Sequence, residues 1–120
     1  MKKLYVVKKQ KDFDRIIKTG RYKKNSTYVI YYEKNNLPYD RYGISVGKKI
    51  GNAVKRNKYK RRLRAIIDDY KKLYVNSQDY IIILRGSAKD KDFKELNNDF
   101  LILMNNIRKE KQKNEENKKN

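Results

Sequence analysis

Apolar residues recur along this chain at two periods, and the switches between them mark out its elements. In KDFDRIIKTG (11–20), Phe13, Ile16 and Ile17 stand at i, i+3 and i+4 and the stretch closes on Gly20, which predicts a short helix with one apolar face. TYVIYYE (27–33) is β-branched and aromatic, with Val29 and Tyr31 alternating against Tyr28, Ile30 and Tyr32; it predicts a strand whose two sets face opposite sides of a sheet. KNNLPYD (34–40) holds the only proline and is turn chemistry, and RYGISVG (41–47) returns as a second strand, so the pair reads as a hairpin with a longer loop. A long helix is predicted from about Asn52 to Tyr74, then a loop over 75–79 and a continuous apolar strand, YIIILR (80–85), of the kind buried on both faces. DFKELNNDFLILMNNIRK (92–109) closes the pattern as an amphipathic helix with Phe93, Leu96, Phe100, Leu103, Met104 and Ile107 on one stripe. This irregular alternation of helices and strands predicts an α+β fold, a two-layer α/β sandwich.

The 120 residues are enough for one domain with a modest core, read as 1–109, while the polar, low-complexity residues 110–120 read as a disordered basic tail. Charge changes the picture most. Lys and Arg number 33 against 14 Asp and Glu, a net charge of +19. Residues 108–120 carry six basic and three acidic side chains, so without them the chain still holds +16 and needs a polyanion or an acidic surface as partner. There is no Cys and no His, which excludes disulfides, zinc sites built on those residues and nucleophile–base pairs that use them. MKKLYVVKKQKDF offers only four apolar residues before charge resumes, too few for a signal peptide core or a membrane span, and points to a soluble cytoplasmic protein.

The charge is concentrated in GISVGKKIGNAVKRNKYKRRLR (43–64). From Arg41 to Ile67 there is no acidic residue, while ten positions are Lys or Arg. At 100° per residue, Tyr59, Leu63, Ile66, Ile67, Tyr70, Leu73 and Tyr74 share one arc, predicted to lie on the sheet. Asn57, Lys60, Arg61 and Arg64 occupy the neighbouring arc with Arg56 on its border, and Lys55, Lys58 and Arg62 extend the charge round the opposite side. Like charges at i, i+4, such as Arg56 with Lys60 and Lys60 with Arg64, each cost an isolated helix a few tenths of a kcal/mol, and cations at a helix N-terminus oppose the macrodipole. Docked phosphates would relieve both. A merely solvated basic face is the bland alternative, but this run is unbroken by acids, starts at the helix start and follows a Gly-x-x-x-Gly turn.

Eleven Tyr and three Phe supply flat surfaces beside the charge, suited to stacking on unpaired bases, although taken singly these tyrosines also read as amphipathic core and rim. Composition alone therefore stops at a binder of RNA or DNA. The spacing goes further. Gly-x-Ser-Val, Lys48-Lys49, Gly51, Ala53-Val54, Arg56-Asn57, Lys60-Arg61 and Arg64 resemble the central motif of the bacterial ribonuclease P protein family, and the elements on either side, over residues 8–108, follow in the family's order. Lys58 stands where that family usually has a second Arg, Ile17 where a second cleft Phe is common, Ser26 where an Arg is frequent, and Gly47 where Ser or another small residue is usual.

The resemblance implies the order αβββαβα with a left-handed βαβ crossover, like a domain of a small-subunit ribosomal protein; of its four strands three are placed above, and 4–8 and 21–24 are candidates for the other. It implies a helper to a ribozyme: an RNA subunit, using Mg2+, removes the 5′ leader of precursor tRNA, and one protein per RNA binds both. Carried over, Lys48, Lys49, Arg56, Asn57, Lys58, Lys60 and Arg61 would face the ribonuclease P RNA, while Phe13, Ile17, Tyr31, Lys60 and Arg64 would line a cleft for the leader. No residue of the protein is expected to be catalytic. Asp68 and Asp69, the nearest acids on the long helix, are adjacent and point about 100° apart, so they do not by themselves make a two-metal site. Two other readings share the charge: a structural or ribosomal RNA-binding protein, which needs no leader cleft, and a DNA-binding regulator, which would need a compact helix-turn-helix ahead of the basic helix.

Overall fold

The computed structural model describes the backbone of residues 5–119 and the side chains of residues 5–110. The element order is α1 (Gln10–Thr19), β1 (Arg21–Lys24), β2 (Tyr28–Lys34), β3 (Arg41–Val46), α2 (Ala53–Lys71), β4 (Gln78–Leu84) and α3 (Phe93–Lys119). The four strands form one sheet in the order β1-β2-β4-β3, with β1–β2 and β2–β4 antiparallel and β3–β4 parallel.

This order corrects the hairpin expected of 27–33 and 41–47. β4 lies between them, pairing Ile82 with Ile30 on one side and with Ile44 on the other. The reason is burial: six of the seven residues of β4 are buried, and a strand covered on both faces is best satisfied with a neighbour at each edge. β2 alternates between buried and half-covered positions, β3 mixes the two, and both take the flanks. Both candidate stretches for the additional strand pair with the sheet. Residues 21–24 form β1, and Val6 makes an isolated parallel bridge to Tyr42, its neighbour Val7 donating its N–H to the Tyr42 carbonyl at 3.0 Å.

One face of the sheet carries the main core. Tyr28, Ile30, Tyr42, Tyr80 and Ile82 lie wholly buried beneath Leu63, Ile66 and Ile67 of α2 and Leu96, Phe100 and Met104 of α3. Tyr42 and Tyr80 stack at 5.1 Å, and Phe100 meets Tyr28 and Tyr70 edge-on at 6.0 and 5.5 Å. Burial raises the hydroxyl pKa of Tyr28, Tyr42 and Tyr80 well above the ordinary tyrosine range. The opposite face holds a smaller cluster in which Ile16 of α1, Val7 and Ile81 are buried and Phe13, Tyr31 and Ile83 pack around them. Arg15 of α1 reaches Glu33 at 3.5 Å and Asp79 at 3.7 Å, which sets the helix across β2 and β4.

Two helix ends differ from expectation. α2 stops at Lys71, so Leu73 falls off the apolar arc and is 76% exposed. The chain turns there because the buried Asp40 carboxylate accepts the N–H groups of Asn76 and Gln78 and Ser77 takes a left-handed φ of 54°, which leads straight into β4. α3 continues to Lys119, past the end at 109 that the apolar stripe predicts; Lys, Glu and Gln are good helix formers and carry the backbone helix on. Phe93, at its first turn, is exposed rather than part of the stripe, which begins at Leu96.

Candidate nucleic-acid interface

The cationic segment is built by three local devices. After β3 a 3-10 turn, Lys48–Ile50, buries Ile50 and leaves Lys48 and Lys49 in solvent. Gly51 follows with φ +147°, a conformation closed to L side chains, and a Cβ there would also press on Lys55. Asn52 then caps α2, its Oδ1 accepting the Lys55 N–H at 3.0 Å. The turn, the glycine and the cap together fix where α2 starts and hence how its cations are presented. Gly47, by contrast, has open space where a side chain would be, so a Ser would fit there equally well.

Along α2, Asn57, Lys58, Arg61 and Arg64 are exposed, while Arg56, Lys60 and Arg62 are half-buried. Arg62 lies over the Tyr59 ring at 5.6 Å. Among the described residues, no cation from Lys48 to Arg64 forms an ion pair; those of α2 begin only with Lys71–Asp68 at 3.2 Å and Lys72–Asp69 at 3.7 Å. The first turn of the helix has no acid, so the macrodipole adds to the positive field there rather than offsetting it. Arg56 to Arg64 spans about 12 Å at 1.5 Å per residue, a row of guanidinium and ammonium groups without counter-ions among the described residues.

A cleft of ≈ 500 Å³ opens beside this row, at the outer edge of β3. It is lined by Val6 and Val7 of the N-terminal segment, Phe13 of α1, Tyr42, Gly43 and Ile44 of β3, and Lys60 and Arg64 of α2. Of the five residues expected at such a cleft, three line it: Phe13, Lys60 and Arg64. Tyr31 does not; it belongs to the small cluster on the α1 face, two strands further in. Ile17 also lies outside the lining and is 37% exposed.

Gly43 was legible only as part of the Gly-x-Ser-Val motif, and its role is spatial. A Cβ at this position would stand 2.6 Å from Cε2 of Phe13 and 2.9 Å from Cδ1 of Ile81. The absence of a side chain lets the Phe13 ring settle on the backbone of β3 and form one wall of the cleft. Val6 and Val7 were also missed as lining residues; the bridge to Tyr42 that brings them there is non-local.

Two pairings keep the remaining faces in place. Asp99 accepts from the Thr27 hydroxyl and from Lys91 at 3.1 Å, and these bonds hold its carboxyl below the usual range, the hydrogen bond from Thr27 foremost. Glu110 accepts from Tyr32 Oη at 2.7 Å and pairs with Arg21 and Lys23 at 3.1 and 3.3 Å, which lowers its pKa in the same way. No group of three or more acidic, His or Cys side chains able to hold a metal occurs among the described residues, and no helix there is long and apolar enough to cross a membrane.

A four-stranded α+β fold that presents a helix cationic over its first half beside an aromatic-walled cleft defines a polyanion-binding protein of the RNA-associated kind. The family model for ribonuclease P matches residues 1–108. Among curated relatives, the ribonuclease P protein component of Mesoplasma florum is 47% identical over 102 residues, which cover 81% of this chain and 93% of that protein. That of Limosilactobacillus fermentum is 44% identical over 97 residues, covering 80% and 85%. Among solved structures, a mutant of the Staphylococcus aureus RNase P protein superposes with a TM-score of 0.82 at 37% identity over 88% of this chain and 90% of that one. The Thermotoga maritima RNase P protein gives 0.75 at 32% identity over 81% and 92%. The chain belongs to the ribonuclease P protein family, the protein components of a ribonucleoprotein enzyme whose RNA carries the catalysis.

Proposed function

We propose that this chain, as the protein component of ribonuclease P, holds the catalytic RNA with the first half of α2 and the 5′ leader of precursor tRNA in the cleft beside it. The observation that carries this reading is the row of cations from Lys48 to Arg64, without an ion pair among the described residues, running alongside a cleft walled by Phe13, Lys60 and Arg64. Lys48, Lys49, Arg56, Asn57, Lys58 and Arg61 face the ribozyme RNA, where Arg56 and Arg61 offer two-donor forks to phosphates and Lys58 a single point charge. Lys60 and Arg64 sit between the two RNAs, neutralising phosphates of one while bordering the path of the other. Phe13 supplies a ring face for an unpaired base, worth about 1–3 kcal/mol per stacked base.

On this reading the protein performs no bond cleavage. It lowers the repulsion between two RNAs, and with it the Mg2+ concentration they need, and Mg2+ is held by the RNA. One protein serves one RNA. A structural RNA-binding role without a leader cleft is not favoured by the family to which the chain belongs. The test is multiple-turnover cleavage of a precursor tRNA by bacterial ribonuclease P RNA at low Mg2+, with and without the protein. Stimulation by the wild type that is lost in an Arg56→Ala/Lys60→Ala double variant is the expected result. Tight RNA binding without any stimulation would return the protein to the structural class.

A further inference from the structure

β1 is a short strand of sequence RYKK, and its two faces are treated differently. Arg21 and Lys23 point to the α3 side, where both pair with Glu110 at 3.1 and 3.3 Å. Tyr22 and Lys24 point to the α1 side. Tyr22 is 56% exposed, and Lys24 is exposed and has no carboxylate partner among the described residues. A single exposed ring on a surface needs no explanation. This one, however, is paired in register with Tyr31, and the two rings meet at 5.4 Å.

The register also defines what lies between β1 and the cleft. Ser45, Ile83, Val29 and Lys24 are opposite one another on successive strands, and none of the four is buried. They form a half-covered floor across the sheet, running parallel to the row in which Gly43 and Ile81 lie under Phe13. At the usual strand spacing that floor is about 14 Å wide from β3 to β1. Its β3 end opens beside the Phe13, Lys60 and Arg64 cleft. Its β1 end carries the Lys24 ammonium, and the Tyr22 ring, which ends the neighbouring row through Tyr31 and Ile81, stands two residues away, about 6.7 Å along the strand.

We infer that Tyr22 and Lys24 form an additional subsite for single-stranded RNA at the β1 edge, Tyr22 stacking on a base and Lys24 meeting a phosphate of a leader long enough to cross the sheet. This rests on the leader reading above and extends it: a short leader occupies only the β3 cleft, and a longer one also reaches β1. Glu110 supports the assignment by holding the other two cations of β1 on the α3 side, so that of the β1 cations only Lys24 faces the floor.

The test is equilibrium binding of precursor tRNAs with leaders of about ten and about two nucleotides to the assembled holoenzyme. Tyr22→Ala should weaken the long-leader substrate about tenfold, within the range of one lost stacking contact, and leave the short-leader substrate unchanged. Tyr22→Phe should retain wild-type affinity for both. The chain has no Trp, so Tyr22→Trp places a lone indole at the subsite, and its fluorescence should be quenched by the long leader and not by the short one. Unchanged long-leader affinity in Tyr22→Ala, alongside a loss in Phe13→Ala, would overturn the subsite and leave the leader cleft standing. Equal losses on both substrates would overturn it too, placing Tyr22 in folding or in ribozyme contact. If the wild-type holoenzyme does not distinguish the two leader lengths, the leader reading itself fails and the subsite with it.

Discussion

Tyr42, Tyr80 and Ile82 on one face of the sheet lie wholly buried beneath α2 and α3, whereas Val29, Ser45 and Ile83 on the other are half covered by a ten-residue helix. The same four strands thus separate two tasks. The closed face collects most of the buried apolar side chains and so most of the driving force for folding. The open face keeps a cleft, a floor and a set of rings accessible, at the cost of apolar surface left in water. α2 belongs to both: its apolar arc closes the first face, and its cationic arc borders the cleft at the edge of the second.

The largest effect that would sharpen this division is Phe100→Ala. Phe100 is wholly buried between Tyr28 and Tyr70, and truncation of such a ring costs about 3–5 kcal/mol. Denaturant unfolding should show that loss, while the RNA affinity of the folded fraction stays near wild type. A variant that kept its stability would mean the closed face is not where folding energy is gathered.

Gly43→Ala comes next and acts on the other face. The new methyl group must displace the Phe13 ring or Ile81, and overpacking of this kind costs about 1–3 kcal/mol. Adding Phe13→Ala should relieve the clash, so the double variant is expected to be less destabilised than the sum of the singles. Strict additivity in a double-mutant cycle would show that the ring and the glycine do not share one space.

These two positions also show what could be read in advance and what could not. The run YIIILR already announced a strand buried on both faces, and such a strand is best satisfied in the middle of a sheet. The hairpin expected of 27–33 and 41–47 failed because turn residues report only that the chain turns, and nothing in KNNLPYD says which strand pairs next. Periodicity likewise carried Leu73 onto the apolar arc, because the stop at Lys71 is set by Asp40, a residue more than thirty positions away in sequence whose carboxylate binds the Asn76 and Gln78 N–H groups. At the cleft, the family resemblance named Phe13, Ile17, Tyr31, Lys60 and Arg64, of which Phe13, Lys60 and Arg64 line it. Val6 and Val7 are brought there by a bridge to Tyr42 more than thirty positions away, which no local pattern encodes.

Acid should weaken the two clamps on α3 before it touches the cationic row. Asp99 and Glu110 have folded-state pKa values held below those of free carboxyls, by Thr27 and Lys91 in one case and by Tyr32, Lys23 and Arg21 in the other. The unfolded chain therefore takes up protons first as pH falls. The stability these groups contribute is complete above the ordinary carboxylate pKa near 4 and is lost as pH drops through their lowered folded values. Thermal melts between neutral pH and about pH 3 should show that decline, and Asp99→Asn should flatten it by removing one of the two groups. A decline unchanged in slope would mean that other carboxylates carry the acid sensitivity.

The smallest expected effect has the opposite sign and bears directly on the double role of α2. Lys60 stands four residues from both Arg56 and Arg64, and among the described residues no carboxylate pairs with any of the three. Lys60→Gln removes two like-charge pairs at once and should stabilise the free protein by a few tenths of a kcal/mol for each pair, read as a small upward shift in melting temperature at low salt that fades as salt is added. The same change should weaken binding to ribonuclease P RNA and reduce the slope of log affinity against log salt by about one, the signature of one lost phosphate contact. A helix that becomes more stable and less able to bind on losing a cation holds its charge for a partner. If Lys60→Gln instead lowers the melting temperature, the half-buried Lys60 stem is packing against the closed face, and the division between the two faces is less clean than the burial pattern draws it.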